Sequence, residues 1–148
     1  MTTLSAHSKR RTVLIVDDDD DIRYSMRNLL VVSNFNVVLA ADGVEALKVL
    51  ERQPVDALVI DLMMPRLDGV GVVRALLNLE PENRPAIIIV ISAHVELRTR
   101  VMGLSVRRVL PKPFDAIMLV EELTAAFEEL EGSASSNPNE TRWHGLPS

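Results

Sequence analysis

No cysteine occurs among the 148 residues, which excludes disulfides and thiolate metal sites. Aromatic side chains make up only 3% of the chain, too few for a base-stacking platform. Positive charge is in deficit: 16 Lys and Arg against 21 Asp and Glu give a net charge of −5, which argues against general nucleic-acid binding. Long apolar runs are missing too. The longest uninterrupted one, Ala86 to Ile91, is far too short to span a bilayer. The N-terminus, Met1 to Arg11, is polar and basic and has no apolar signal-peptide core. These absences predict a cytoplasmic protein with neither a membrane nor a nucleic acid as direct partner. The length predicts one domain, large enough to bury about 68–70% of its unfolded-chain surface without staples.

What the chain does have is a set of short apolar runs, each ending in one reactive side chain. Val13 to Val16 runs into Asp17 and Asp18, Ala57 to Ile60 into Asp61, Ile87 to Ile91 into Ser92, and Val109 to Pro111 into Lys112. The first three are continuous and β-branched rather than alternating, the pattern of strands covered on both faces of a parallel sheet. Strands are predicted near 12–16, 36–40, 57–60, 86–91 and 107–110. Helical stripes lie between them: Ile22, Met26, Leu29, Leu30 and Ser33; Val44, Leu47 and Leu50; Val72, Val73, Leu76 and Leu77; Leu97, Val101 and Leu104; and finally Val120, Leu123, Phe127 and Leu130. Five βα units with right-handed crossovers make an α/β fold, a doubly wound five-stranded parallel sheet of order 2-1-3-4-5. Strands two and five are then edges, and Arg107-Arg108 suits an edge.

The boundaries follow: a flexible arm at 1–11, a folded unit at 12–131, and a Gly-, Ser- and Asn-rich tail at 132–148 read as disordered. Trp143 in that tail is read either as an exposed residue of a loose end or as the anchor of a short docking peptide.

In an open parallel sheet, ligands bind at the carboxyl ends of the strands. Three carboxylates, a hydroxyl and an ammonium therefore converge on one crevice, a set that suits a hard divalent cation and a phosphoryl group. Of the five aspartates at 17–21, the first two fall at the sheet edge; Asp19 is placed to cap the next helix, and Asp20 and Asp21 favour its positive end. Asp61 ends a strand several residues before the next helix begins, so it caps nothing. Like carboxylates this close raise one another's pKa. Mg²⁺ relieves that, taking six oxygens from carboxylates, waters and phosphate, and the carbonyl of Met63 is a candidate for one of them. Prolines at 111 and 113 fix the backbone around Lys112, and a cis Lys112–Pro113 bond would aim the ammonium into the crevice.

The stretches VLIVDDDDDIR at 13–23, VIDLMMPRLDG at 59–69, VISA at 90–93 and LPKPF at 110–114 resemble the receiver domain of two-component response regulators, over residues 12 to about 130. The resemblance implies a flavodoxin-like (βα)5 fold and a single-domain, chemotaxis-Y-like module. It implies a phosphoryl group taken onto Asp61 from a histidine kinase or a histidine phosphotransfer protein. It further implies Mg²⁺ on Asp17, Asp18, Asp61 and the Met63 carbonyl, with Ser92 and Lys112 on the phosphoryl oxygens. The output would be a switched contact with a downstream protein, and the only catalysis would be of the domain's own phosphorylation and dephosphorylation. Two positions depart from the family pattern: Val109 stands where the family has Tyr or Phe, and Ser105 where it has Gly. Both lie toward the output face of fourth helix, fifth strand and last helix. On that face Arg98, Arg100, Arg107 and Arg108 and Glu121, Glu122, Glu128 and Glu129 are read as two solvated surfaces or as a two-fold contact between two copies. The alternative function is a Mg²⁺-dependent aspartyl-phosphate phosphatase of the haloacid-dehalogenase type, which also uses Asp, Ser, Lys and acidic metal ligands. Asp21 departs from its expected start motif.

Overall fold

The computed structural model describes residues 10–64, 67–93, 95–101, 103–112 and 115–135. Strands and helices alternate: β1 (Thr12–Val16), α1 (Asp20–Val32), β2 (Asn36–Ala40), α2 (Gly43–Arg52), β3 (Ala57–Asp61), α3 (Gly69–Ala75), β4 (Ile87–Ser92), α4 (Val95–Val101), β5 (Arg108–Pro111) and α5 (Ala116–Ser135). All strand pairs are parallel, in the order β2-β1-β3-β4-β5. This is the doubly wound topology that the succession of strand and helix patterns predicts, and the flavodoxin-like fold that the family resemblance implies.

Because successive strand residues point to opposite faces, each continuous run feeds two cores. Leu14, Val16, Leu58, Ile60 and Val90 pack with Ala46 and Leu50 of α2 and Val72 and Val73 of α3. Val13, Ile15, Val59, Ile89 and Ile91 pack with Met26 and Leu30 of α1 and Leu119, Leu123 and Phe127 of α5. Burying each such side chain fully is worth roughly 1.5–3 kcal/mol. The aspartates at 19, 42 and 68 cap α1, α2 and α3, accepting from the amides of Ile22, Glu45 and Gly71 at 3.1, 2.8 and 2.8 Å.

Three expectations shift. The stripe through Leu77 breaks because α3 stops at Ala75 and residues 76–78 form a 3-10 turn. Its tighter winding rotates the stripe off the core, and Leu77 is 53% exposed. The last helix runs four residues beyond Glu131, to Ser135, through the expected start of the tail. A glycine costs a helix about 1 kcal/mol relative to alanine, too little to stop one whose earlier turns are packed. Finally, Arg11 is anchored rather than loose: its Nη2 lies 3.2 Å from Glu131 and its guanidinium lies over the Phe127 ring at 5.1 Å. Residues 1–9, Pro113 with its peptide bond, Phe114, the Arg98 side chain and Trp143 lie outside the described residues.

On the face formed by β5 and α5, Arg107 bonds Glu122 at 2.7 Å and Glu129 at 2.9 Å, and Arg108 reaches Glu122 at 3.1 Å. Part of the charge complementarity expected between two copies is thus satisfied within one chain. These pairs tie the β5 edge to α5, and exposed pairs of this kind are worth about 1 kcal/mol or less.

Ser105 has φ 61°, in the left-handed region, and Gly103 has φ 90°. The turn before β5 therefore needs a glycine-like backbone at 105, where this chain has serine. The left-handed region costs a residue with a Cβ about 1–2 kcal/mol, and glycine loses about 0.4–1 kcal/mol through the entropy of the unfolded chain. Ser105→Gly is accordingly expected to gain about 0.5–1 kcal/mol in urea unfolding; a loss of stability would show that the serine hydroxyl compensates for its backbone.

Candidate functional site

Strand register brings the site together. Val16 lies opposite Ile60, so the next residues, Asp17 and Asp61, emerge side by side. Asp61 pairs with Ile91, one residue before Ser92, and Ser92 pairs with Pro111, one residue before Lys112. Residues 44 and 95 positions apart from Asp17 in sequence thus gather at one sheet edge. Carboxylate oxygens of Asp17, Asp18 and Asp61 all lie within 4.8 Å of one another. Asp17 and Asp61 are buried and Asp18 is exposed.

Each carboxylate is held differently. Asp61 Oδ1 accepts from the Met63 amide at 2.9 Å, and its Oδ2 accepts from Lys112 Nζ at 2.7 Å. Asp17 Oδ1 accepts from the Asp19 amide at 2.9 Å. Its Oδ2 is buried without a hydrogen-bond partner among the described residues. Burial pushes the Asp17 carboxyl up to about 6; the bond from Asp19 and the Lys112 charge oppose this, and the charges of Asp61 and Asp18 add to it. A buried carboxylate with one bare oxygen, facing two more carboxylates, is a donor set that fits a hard cation. Burial works against the Lys112 ammonium, but the hydrogen bond from Lys112 to Asp61 and the charges of Asp61, Asp17 and Asp18 outweigh it and hold its pKa above the ordinary lysine value.

Ser92 is fully buried at the end of β4, and the Met63 side chain, 51% exposed, stands at the rim. All the residues singled out from sequence therefore sit at this edge. A cleft of about 550 Å³ opens beside Lys112, walled by Ile22, Ser25 and Met26 of α1, Ala93 and Ala116.

Two features of the site escape a sequence reading centred on strand ends. Gly69, the first residue of α3, lies against the back of Asp61: a Cβ there would fall 2.5 Å from the Asp61 carbonyl oxygen and 2.6 Å from Leu62 Cα. Arg23 is buried on the inner face of α1, and its Nη1 donates to the Asp17 carbonyl at 2.7 Å. Its signal was present, since Arg23 is in phase with Met26 and Leu30 on the apolar stripe.

Residues 13–124 match the model of the response regulator receiver domain. The chain belongs to that family. The receiver is 43% identical over 120 residues to the response regulator MprA of Mycobacterium leprae, an alignment covering 80% of this chain and 50% of that protein. The chain spans about half the length of the curated relatives it matches. Among solved structures, a CheY-like receiver domain protein from Methanospirillum hungatei superposes with TM-score 0.77 at 22% identity, covering 84% of this chain and 99% of its own, a likeness of fold. The receiver domain of the Pseudomonas aeruginosa sensor histidine kinase PA1611, with a magnesium ion coordinated in its active-site cleft, superposes with TM-score 0.71 at 27% identity, covering 79% of this chain and 97% of its own. These matches are to receiver domains of response regulators and give the phosphatase alternative no support. No described helix is long and apolar enough to cross a membrane.

Proposed function

We propose that this receiver takes a phosphoryl group onto Asp61 from a histidine kinase or histidine phosphotransfer protein and thereby changes its contact with a downstream protein. The observation that carries this reading is the Lys112 ammonium 2.7 Å from the Asp61 carboxylate, at a point where Asp17 and Asp18 also converge. Asp61 Oδ attacks phosphorus, the bond from phosphorus to the donor nitrogen breaks, and an aspartyl phosphate and a free imidazole result. A carboxylate nucleophile needs no base to activate it, so positioning and charge neutralisation supply most of the catalysis. The amide of Met63 and the ammonium of Lys112 hold the two oxygens of Asp61 in place before transfer. Lys112 is free to follow negative charge onto the phosphoryl oxygens, and the Ser92 hydroxyl is the neighbouring donor on β4. Asp17, Asp18, Asp61 and the Met63 carbonyl would hold Mg²⁺, whose charge offsets the crowded carboxylates and the oxygens of the transferred group. The apolar cleft beside Lys112 suits the docking of the donor protein's helix against α1.

Phosphotransfer profiling tests the reading. The receiver is mixed with autophosphorylated histidine kinases of its host in the presence of Mg²⁺. Label is expected to leave one kinase and appear on the receiver, and to stay on the kinase when Mg²⁺ is chelated. Failure of every kinase to transfer would count against the reading.

A further inference from the structure

Arg23 is a charged residue where α1 otherwise buries apolar ones, 7% exposed and in phase with Met26 and Leu30. Burying a guanidinium is costly unless its donors are used, and here both terminal nitrogens are engaged. Nη1 donates to the Asp17 carbonyl at 2.7 Å, and Nη2 donates to the Asp20 carboxylate. Its Cζ lies over the Tyr24 ring, 5.1 Å from the ring centre, and that of Arg27 lies over the same ring at 5.0 Å. The group is thus fixed from three sides. By contrast, the Asp17 amide reaches its own backbone partner, the Ala40 carbonyl, only at 3.3 Å. The guanidinium is the shorter tether on that peptide segment.

We propose that Arg23 is a positioning residue for the cation site. By gripping the Asp17 carbonyl from inside α1 it fixes the β1–α1 turn from which Asp17 and Asp18 present their carboxylates. The inference rests on the reading of this site as one for Mg²⁺. A planar fork reaches the carbonyl and Asp20 together, whereas a lysine is a single point donor. Lysine preserves the charge and loses the span, so it isolates geometry from electrostatics. The two roles also differ in sign. If Arg23 only balanced the acidic turn, removing its charge would tighten cation binding; if it positions the turn, removing it loosens binding.

The test is calorimetric titration with magnesium chloride alone, beside metal-free melting, on the full chain and on Arg23→Lys and Arg23→Gln. Groups that orient ligands from behind typically carry about 10–100-fold in metal affinity, so Arg23→Lys is expected to bind Mg²⁺ about tenfold more weakly and Arg23→Gln at least as weakly. Should the Arg23 variants fail to fold, Asp20→Ala and Asp21→Ala decide. Both remove one exposed negative charge from the first turn of α1, but only Asp20 braces the guanidinium. Asp20→Ala is expected to lose more affinity. The proposal is overturned if Arg23→Lys melts lower yet binds Mg²⁺ as tightly as wild type, if Arg23→Gln binds more tightly, or if the two aspartate variants are equal. Wild-type protein that takes up no Mg²⁺ would instead overturn the reading of the site itself.

Discussion

Replacing Asp17 by asparagine is expected to raise the melting temperature of the metal-free protein at neutral pH and to abolish the further rise that Mg²⁺ produces. Asp17 is nearly isosteric with asparagine, which still accepts from the Asp19 amide through its Oδ1. The carboxyl ionises near 3.8 in the unfolded chain and at about 6 in the fold, chiefly through burial. The folded state therefore holds the proton to higher pH than the unfolded one. Stability contributed by Asp17 is complete below about 3.8 and is lost as pH rises through about 6. At neutral pH a buried, ionised Asp17 costs about 1–3 kcal/mol, part of which asparagine recovers, less the burial of its own amide. Wild type minus variant should show the loss between pH 4 and 6 and a plateau above it. Mg²⁺ that binds only the native state adds about 2.7 kcal/mol at a hundredfold excess over Kd, and that gain should vanish in the variant. A variant that melts lower without metal, or responds to Mg²⁺ as wild type does, contradicts the account of Asp17. Asp17 is buried, whereas its neighbour Asp18 is exposed.

Gly69→Ala is expected to destabilise the protein by about 1–2 kcal/mol and to slow labelling of Asp61. Alanine is the better helix former by about 1 kcal/mol, but at this position the helix touches the strand it supports. The added Cβ would lie 2.5 Å from the Asp61 carbonyl oxygen, and both nearest neighbours are backbone atoms that cannot rotate away. Overpacking a tight site costs about 1–3 kcal/mol, occasionally more, and here the displaced backbone is that of Asp61, the proposed acceptor. A misplacement of about 1 Å at a reacting group can cost about 10²-fold in rate. Urea unfolding and the rate of labelling by a small phosphodonor check both effects. A variant as stable and as fast as wild type would mean that α3 moves aside at no cost.

The strand-end residues were legible because a parallel sheet turns chain order into spatial order. Once Val13–Val16, Ala57–Ile60, Ile87–Ile91 and Val109–Pro111 are strands of one sheet, Asp17, Asp61, Ser92 and Lys112 have nowhere to go but one edge. The cap at Asp19 was legible for a local reason, since an aspartate before a helix has its amide partners within a few residues. What escaped depends on distances between elements. The phase of Arg23 with Met26 and Leu30 marks it as inward-facing, but its bond to the Asp17 carbonyl exists only once α1 is laid against β1, and the missing side chain of Gly69 matters only because α3 starts behind Asp61. The Arg107–Glu122 pair joins residues 15 apart on two elements whose spacing no local pattern encodes. Leu77 was misplaced because one turn of 3-10 helix shifts the phase of a stripe without altering its composition.

The most direct measurement of the central claim is the mapping of label after exposure to acetyl phosphate and Mg²⁺. Intact mass followed by peptide mapping is expected to find a single phosphoryl group per chain, on Asp61, and none on Asp61→Asn under the same conditions. Normal labelling of Asp61→Asn, or label mapped to Asp17 or Asp18 in the wild type, would contradict it.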